Sequence, residues 1–383
     1  MKTKRAFSAA LVRHESEYHR LRGAGLTFVL LAMATAGLHA QTFTTLVNFN
    51  VTNGLHPSGL KQATNGNFYG TTVNGGADGE GEIFEMTPTG TLTILHSFNA
   101  TDGSQPNSGV TQGTDGNFYG TAGAGGAYGD GTVFKMTSAG VLTTLHNFDL
   151  NDGEDPGKLK QATDGNFYGT TVDGGANGDG EVFKITPTGT LTVLHSFNVS
   201  DGKFPKSGVL QATDGNFYGT TYVNGSGGYG TVFKMTPSGT LTTVHGFSEG
   251  DGAYPGTLLQ GTDGNLYGTT AYGGAYGDGE VYKLTTSGTL TILYSFNGYN
   301  VQPGALLQAK NGNFYGVTLH GGTNGDGEIY EMTPTGAVTV LYSFGGYDAL
   351  NPGGLTQGTD LNFYGTTMSG GTNDDGSVYK FVQ

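Results

Sequence analysis

The 383 residues hold 71 glycines, 13 % charged side chains and no cysteine, against an ordinary ~7 % glycine and ~25 % charge. Disulfide frameworks, zinc–thiolate sites, iron–sulfur clusters and thiol nucleophiles are therefore excluded. Glycine and proline together stay below the share that marks disorder, and 22 Phe with 21 Tyr supply apolar area for a folded core.

Residues 1–40 differ from the rest. Lys2, Lys4, Arg5, Arg13, Arg20 and Arg22 precede an apolar stretch from Gly23 to Leu38, closed by the small Ala40. This pattern reads as a secretory signal peptide over 1–40, since a membrane span needs about 20 apolar residues. No arginine pair is present, which favours the general secretory route. Beyond it, 11 bases face 29 acids, a net charge of −18. Such a surface repels nucleic acid and anionic membranes. The sequence thus predicts a secreted or periplasmic protein with no nucleic-acid partner, no membrane contact after signal removal, and a monomeric state.

From residue 42 onward the chain repeats. The tripeptide Phe-Tyr-Gly or Leu-Tyr-Gly places a tyrosine at Tyr69, Tyr119, Tyr168, Tyr218, Tyr267, Tyr315 and Tyr364. One unit, 157–205, carries four β-rich runs: around 159–163, 166–171, 181–185 and 191–197. The first two meet across Asp164-Gly165, a strong two-residue hairpin signal. The next turns are GGANGDG and Pro187-Thr188-Gly189. Four antiparallel strands in each ~49-residue repeat match a β-propeller blade better than a solenoid coil. Units run at about 58–106, 108–156, 157–205, 207–255, 256–303, 304–352 and 353–383. The last unit stops after its third strand, while 42–49 (TFTTLVNF) aligns with a fourth strand. The expectation is an all-β, seven-bladed propeller over 42–383 whose N-terminal outer strand completes the last blade and removes open edges.

The pattern DGNFYGTT, then GG, GxVFKMTPxGTLTxLHSF and DGxxP resembles the GloVer-type bacterial tandem repeats, over roughly Thr42 to Gln383. The resemblance implies export and a propeller-like repeat, without an established activity or catalytic residues. Members of that family carry varied C-terminal anchors, and the sequence is expected to depart from them in having none. Kelch blades share the double glycine and the period, but rely on a tryptophan that is absent here.

Propeller topology sorts the loops. The second-to-third turns and the blade-to-blade connections share one face, a crown, on which Glu80, Asp130, Asp179, Asp278, Asp326 and Asp375 take equivalent positions and Tyr229 breaks the series. Asp102, Asp152, Asp201 and Asp251 add carboxylates in the connections. Calcium takes six to eight oxygens, so the six hairpin acids are weak calcium candidates, each hairpin offering about one or two carboxylates; the simpler expectation is that Gly-Asp-Gly forms the turn. No other cofactor is implied. His96, His146, His195 and His245 share one repeat position but fall about 17 Å apart, too far for a common metal site, and read as packing or surface histidines. Gln62, Gln112, Gln161, Gln211, Gln260, Gln308 and Gln357 recur in the innermost strand and are expected to pair backbone groups.

Function is sought where repeats disagree. Crown positions of that kind include Tyr128, Tyr222, Tyr229, Tyr254, Tyr272, Tyr276, Tyr299, Phe204, Lys203 and His320. Tyrosines beside carboxylates and amides suit sugar rings or a protein partner. The leading expectation is a secreted, non-catalytic propeller that binds extracellular polysaccharide or protein through this face. A lyase or lactonase-type enzyme is the alternative, with only His320/Asp326 or Lys203/Asp201 to hint at acid–base chemistry. A structural cell-envelope role is the third.

Overall fold

The computed structural model describes residues 41–345 and 349–383; the expected signal peptide, 1–40, lies outside the described residues. Each repeat folds because short turns join strands whose two faces are both apolar. In blade three, Phe167–Asp173 pairs with Glu181–Ile185, which pairs with Leu191–Ser196, all antiparallel. The inner strand arrives in two pieces, Glu154–Pro156 and Lys160–Gln161, both paired to Phe167–Asp173. The repeat therefore starts its inner strand earlier than expected from sequence. The ladder lapses over Gly157-Lys158-Leu159, just after buried Pro156, which is itself paired with Thr171. Blades one and seven keep one irregular inner strand each, Leu55–Gln62 and Leu350–Gln357.

Seven such sheets form, and no helix occurs among the described residues. The seventh contains Leu350–Gln357, Phe363–Ser369 and Ser377–Val382, with Thr42–Asn48 from the chain start as its outer strand. Phe43 stacks on Tyr342 of blade six at 4.5 Å. This is the seven-bladed β-propeller expected, closed by its N-terminal strand.

The core is divided among seven clusters, each between adjacent blades. The Phe-Tyr pair explains their placement. Neighbouring residues of a strand point to opposite faces, so phenylalanine serves one interface and tyrosine the next. Tyr119 lies 4.0 Å from Phe167 of the following blade, Tyr168 4.0 Å from Phe217, and Tyr364 closes the ring on Phe68 at 4.2 Å. Such aromatic pairs contribute about 0.5–1.5 kcal/mol beyond area burial. The glycine that follows is needed because a Cβ on Gly169 would lie 2.6 Å from the Phe183 ring crossing over it.

Candidate crown site at the channel mouth

The crown is built by hairpins of one blade docking on the next. In Gly178-Asp179-Gly180 both glycines have positive φ (71° and 89°), whereas the aspartate is not among the residues in that region. The turn thus needs its glycines and leaves the acid position to other work. A Cβ on Gly180 would sit 2.7 Å from Pro205 of blade four. The Asp179 carbonyl accepts from the Phe204 N–H at 3.1 Å, and Glu80, Asp130, Tyr229 and Asp375 do the same for Gln105, Asp155, Tyr254 and His56. Equivalent positions therefore join neighbouring blades through backbone, whatever side chain they carry.

These five N–H donors belong to a ring of seven residues, each just before a buried proline: His56, Gln105, Asp155, Phe204, Tyr254, Gln302 and Asn351. All seven have φ between 49° and 60°. A non-glycine residue there costs of order 1 kcal/mol, and such strain concentrates at functional positions. No position is shared more widely by the repeats in conformation while differing so much in chemistry. Phe204 and Tyr254 were recognised from sequence. The others were missed, although one signal was present: the residue before each repeat's proline is nearly always different.

On blades four to six the ring joins an aromatic platform. Tyr254 stacks on Tyr222 at 4.7 Å and meets Tyr272 edge-on at 5.8 Å. Lys206 Nζ lies 4.5 Å from the Tyr222 ring centroid. Gln302 Nε2 donates to the Tyr272 hydroxyl at 2.5 Å and to Asn300 Oδ1 at 2.7 Å. All three tyrosines are half-buried. Burial first, then the neighbouring phenols, push the Tyr222 hydroxyl up, so it stays protonated and can donate. Beside the platform, Glu154, Asp155 and Asp173 of blade three are raised by burial, and in part by one another.

The remaining candidates lie apart. Tyr128 and Tyr276 stand at hairpin tips, 66 % and 61 % exposed. Tyr229 packs against the cluster of Tyr218, Val232 and Phe247. His320 lines a cavity of about 750 Å³ with Tyr294, Glu328 and Asn300, the last of which also bonds Gln302 of the platform. Among the six crown acids, Asp179 pairs with Lys203 at 2.5 Å, and Asp278 caps the N–H groups of Gly298 and Asn300. Among the described residues no three His, Asp or Glu side chains gather as metal ligands.

The acid–base hints fare differently. Lys203 goes to Asp179 and not to Asp201, because Asp201 is held by His195 at 2.9 Å. The same bond joins His96 to Asp102, His146 to Asp152 and His245 to Asp251. Each of these aspartates also caps its loop, as Asp201 does for the Asn198 N–H. Each histidine meets the phenylalanine two residues on edge-on, as His195 does Phe197 at 5.0 Å. These histidines pack the blades and pin the connections.

Fold and crown together define a closed seven-bladed repeat propeller with one asymmetric, tyrosine-bearing channel mouth. The chain belongs to the Gloeobacter/Verrucomicrobia repeat family, which matches residues 29–158, 112–305 and 299–383. No curated protein matches it at a significant level. Among solved structures it is similar to a streptogramin B lyase, with a TM-score of 0.65 at 16 % identity over 89 % of this chain and 97 % of that one. Virginiamycin B lyase from Staphylococcus aureus gives 0.64 at 15 %, over 90 % and 99 %. The extracellular domain of a B. thetaiotaomicron protein assigned as a hybrid two-component system gives 0.61 at 12 %, over 88 % of this chain and 39 % of that one. At these identities the likeness shows the propeller fold alone. Among the described residues no helix is long and apolar enough to cross a membrane.

Proposed function

We propose that this protein is an exported, non-catalytic propeller that binds extracellular glycan at its crown, with a sugar ring against the Tyr222/Tyr254/Tyr272 platform. The observation that carries this reading is the contiguity of three half-buried tyrosines with the amides of Gln302 and Asn300 at the channel mouth. Aromatic faces take the apolar side of a sugar while amides and carboxylates take its hydroxyls. The basic, apolar start of the sequence and the likeness to an extracellular domain support export.

The test is retention of the purified protein on immobilised polysaccharides, with the eluate assayed for released oligosaccharides. Retention without release is expected, and Tyr254→Ala should weaken it about threefold to tenfold, the worth of one aromatic contact. Release of product would instead favour the lyase or lactonase-type reading. Failure to bind any polysaccharide would overturn glycan recognition and point to a protein partner.

A further inference from the structure

The opposite mouth of the channel breaks the repeat symmetry in its own way. Here the inner strands end, enclosing a cavity of about 720 Å³. Lys61, Lys158 and Lys160 line it from blades one and three, while Leu210, Leu258 and Leu259 line it from blades four and five. The position just before each inner-strand glutamine shows the division: Lys61, Thr111 and Lys160 are followed around the ring by Leu210, Leu259 and Leu307. One arc is cationic and the next aliphatic.

No carboxylate lines this cavity. Lys135, Lys203, Lys234, Lys283 and Lys380 each pair with an aspartate, but among the described residues Lys61, Lys158 and Lys160 form no ion pair. Burial first, then the Lys61 and Lys160 charges, push the Lys158 amine down to about 8. Desolvation of its amine inside the channel mouth and Lys160 likewise lower Lys61, although the residue as a whole stays exposed. Like charges gathered in one cavity with no carboxylate in its lining favour the entry of an anion.

We propose that this mouth binds a small amphiphilic organic anion, its acidic head among Lys61, Lys158 and Lys160 and its apolar body against Leu210, Leu258 and Leu259. The cavity has the size of a small-molecule site, and charge-assisted hydrogen bonds plus apolar burial act together there. The site lies on the face away from the tyrosine platform, so either can fail without the other.

Isothermal titration of the purified full chain with naphthalene-1-sulfonate, inorganic sulfate and 1-naphthol separates the two contributions. The sulfonate should bind about tenfold or more tightly than either of the others. Lys158→Gln should weaken it about tenfold, whereas Lys310→Gln, which removes an exposed lysine outside the cavity, should change it less than about twofold. Because Lys158→Gln removes repulsion, its Tm without ligand should equal or exceed that of the wild type; Lys61→Gln serves the same test if that variant fails to fold. Equal affinity for sulfonate and naphthol, equal affinity for sulfonate and sulfate, an unchanged Lys158→Gln, or no binding at all would each overturn the proposal.

Discussion

In the first-to-second turns, one residue changes in step with another twenty positions away. Five blades carry aspartate there, with lysine on the third strand: Asp115 bonds Lys135 at 3.0 Å and accepts from Tyr119 at 2.8 Å. Asp214, Asp263 and Asp360 do the same with Lys234, Lys283 and Lys380, and Asp164 faces Lys184. Blades one and six carry Asn65 and Asn311 with Glu85 and Glu331 instead, and the glutamate accepts the tyrosine hydroxyl at 2.7 and 2.6 Å. The buried end of the tyrosine needs one carboxylate, and either partner can supply it. Lys135→Glu alone places two carboxylates together and should lower Tm by several degrees; adding Asp115→Asn should restore most of the loss. Equal melting of the single and double variants would show that the two positions are not coupled. The alternation is visible in the sequence, but its meaning is not, because only the sheet register sets Tyr119 opposite Lys135.

At the scale of strands and turns, the inner-strand glutamines act as clasps between blades. Gln161 Nε2 donates to the Gly165 carbonyl of its own turn at 3.0 Å, and its Oε1 accepts from the Thr114 N–H of blade two at 2.8 Å. The pattern runs around the ring to Gln62, which accepts from Thr359 of blade seven at 2.7 Å. The sequence reading of these glutamines as partners of backbone groups holds, while the link to the preceding blade needed the closed ring. Gln161→Leu removes both bonds of the clasp; because the Thr114 N–H is open to water, the cost should be about 0.5–1.5 kcal/mol, read from the urea midpoint at constant m. A change below ~0.5 kcal/mol would mean that water replaces the clasp. Strand types and order followed from the Asp-Gly turns and the ~49-residue period. The two-piece inner strand did not, since pairing of Glu154 with Asp173 depends on the neighbouring hairpin that holds Asp155 in its left-handed conformation.

Across the whole molecule, two sets of acids, one at exposed turns and one buried in the blades, respond oppositely to pH. Burial raises Asp214 and Asp360, but hydrogen bonds from asparagine, lysine and tyrosine outweigh it and hold both down to about 2. Their contribution is present above the unfolded carboxylate value near 4 and is lost as pH falls toward 2. Burial raises Glu82, Glu181 and Glu328, with Ser97, Ser196 and Ser343 opposing it. Their contribution is complete below the unfolded value near 4.3 and is lost as pH rises through the raised value. Glu181→Gln should therefore raise Tm at pH 7, with the gain vanishing by about pH 4, whereas Asp214→Asn should lower Tm at pH 7, with the deficit closing only near pH 2. Thermal melts between pH 2 and 7 check both, and coincident pH windows would refute the assignment.

The sequence by itself determined the seven repeats, the all-β blades and the closure by 42–49, observed as Thr42–Asn48, because each rests on local periodicity, turn chemistry and a count of strands. It also marked the crown as the place where repeats differ. Only the tertiary structure decided which variable residues meet. Tyr222, Tyr254 and Tyr272 come from two blades and touch because of blade packing, while Tyr128 and Tyr276 remain apart at hairpin tips. The lysines of the far mouth are likewise separated by as many as 99 residues in sequence, Lys61 to Lys160, and are brought to one cavity by the ring. Local rules repeat identically in every blade, so they specify the scaffold; a site needs contacts between unlike blades, and those exist only once the ring is closed.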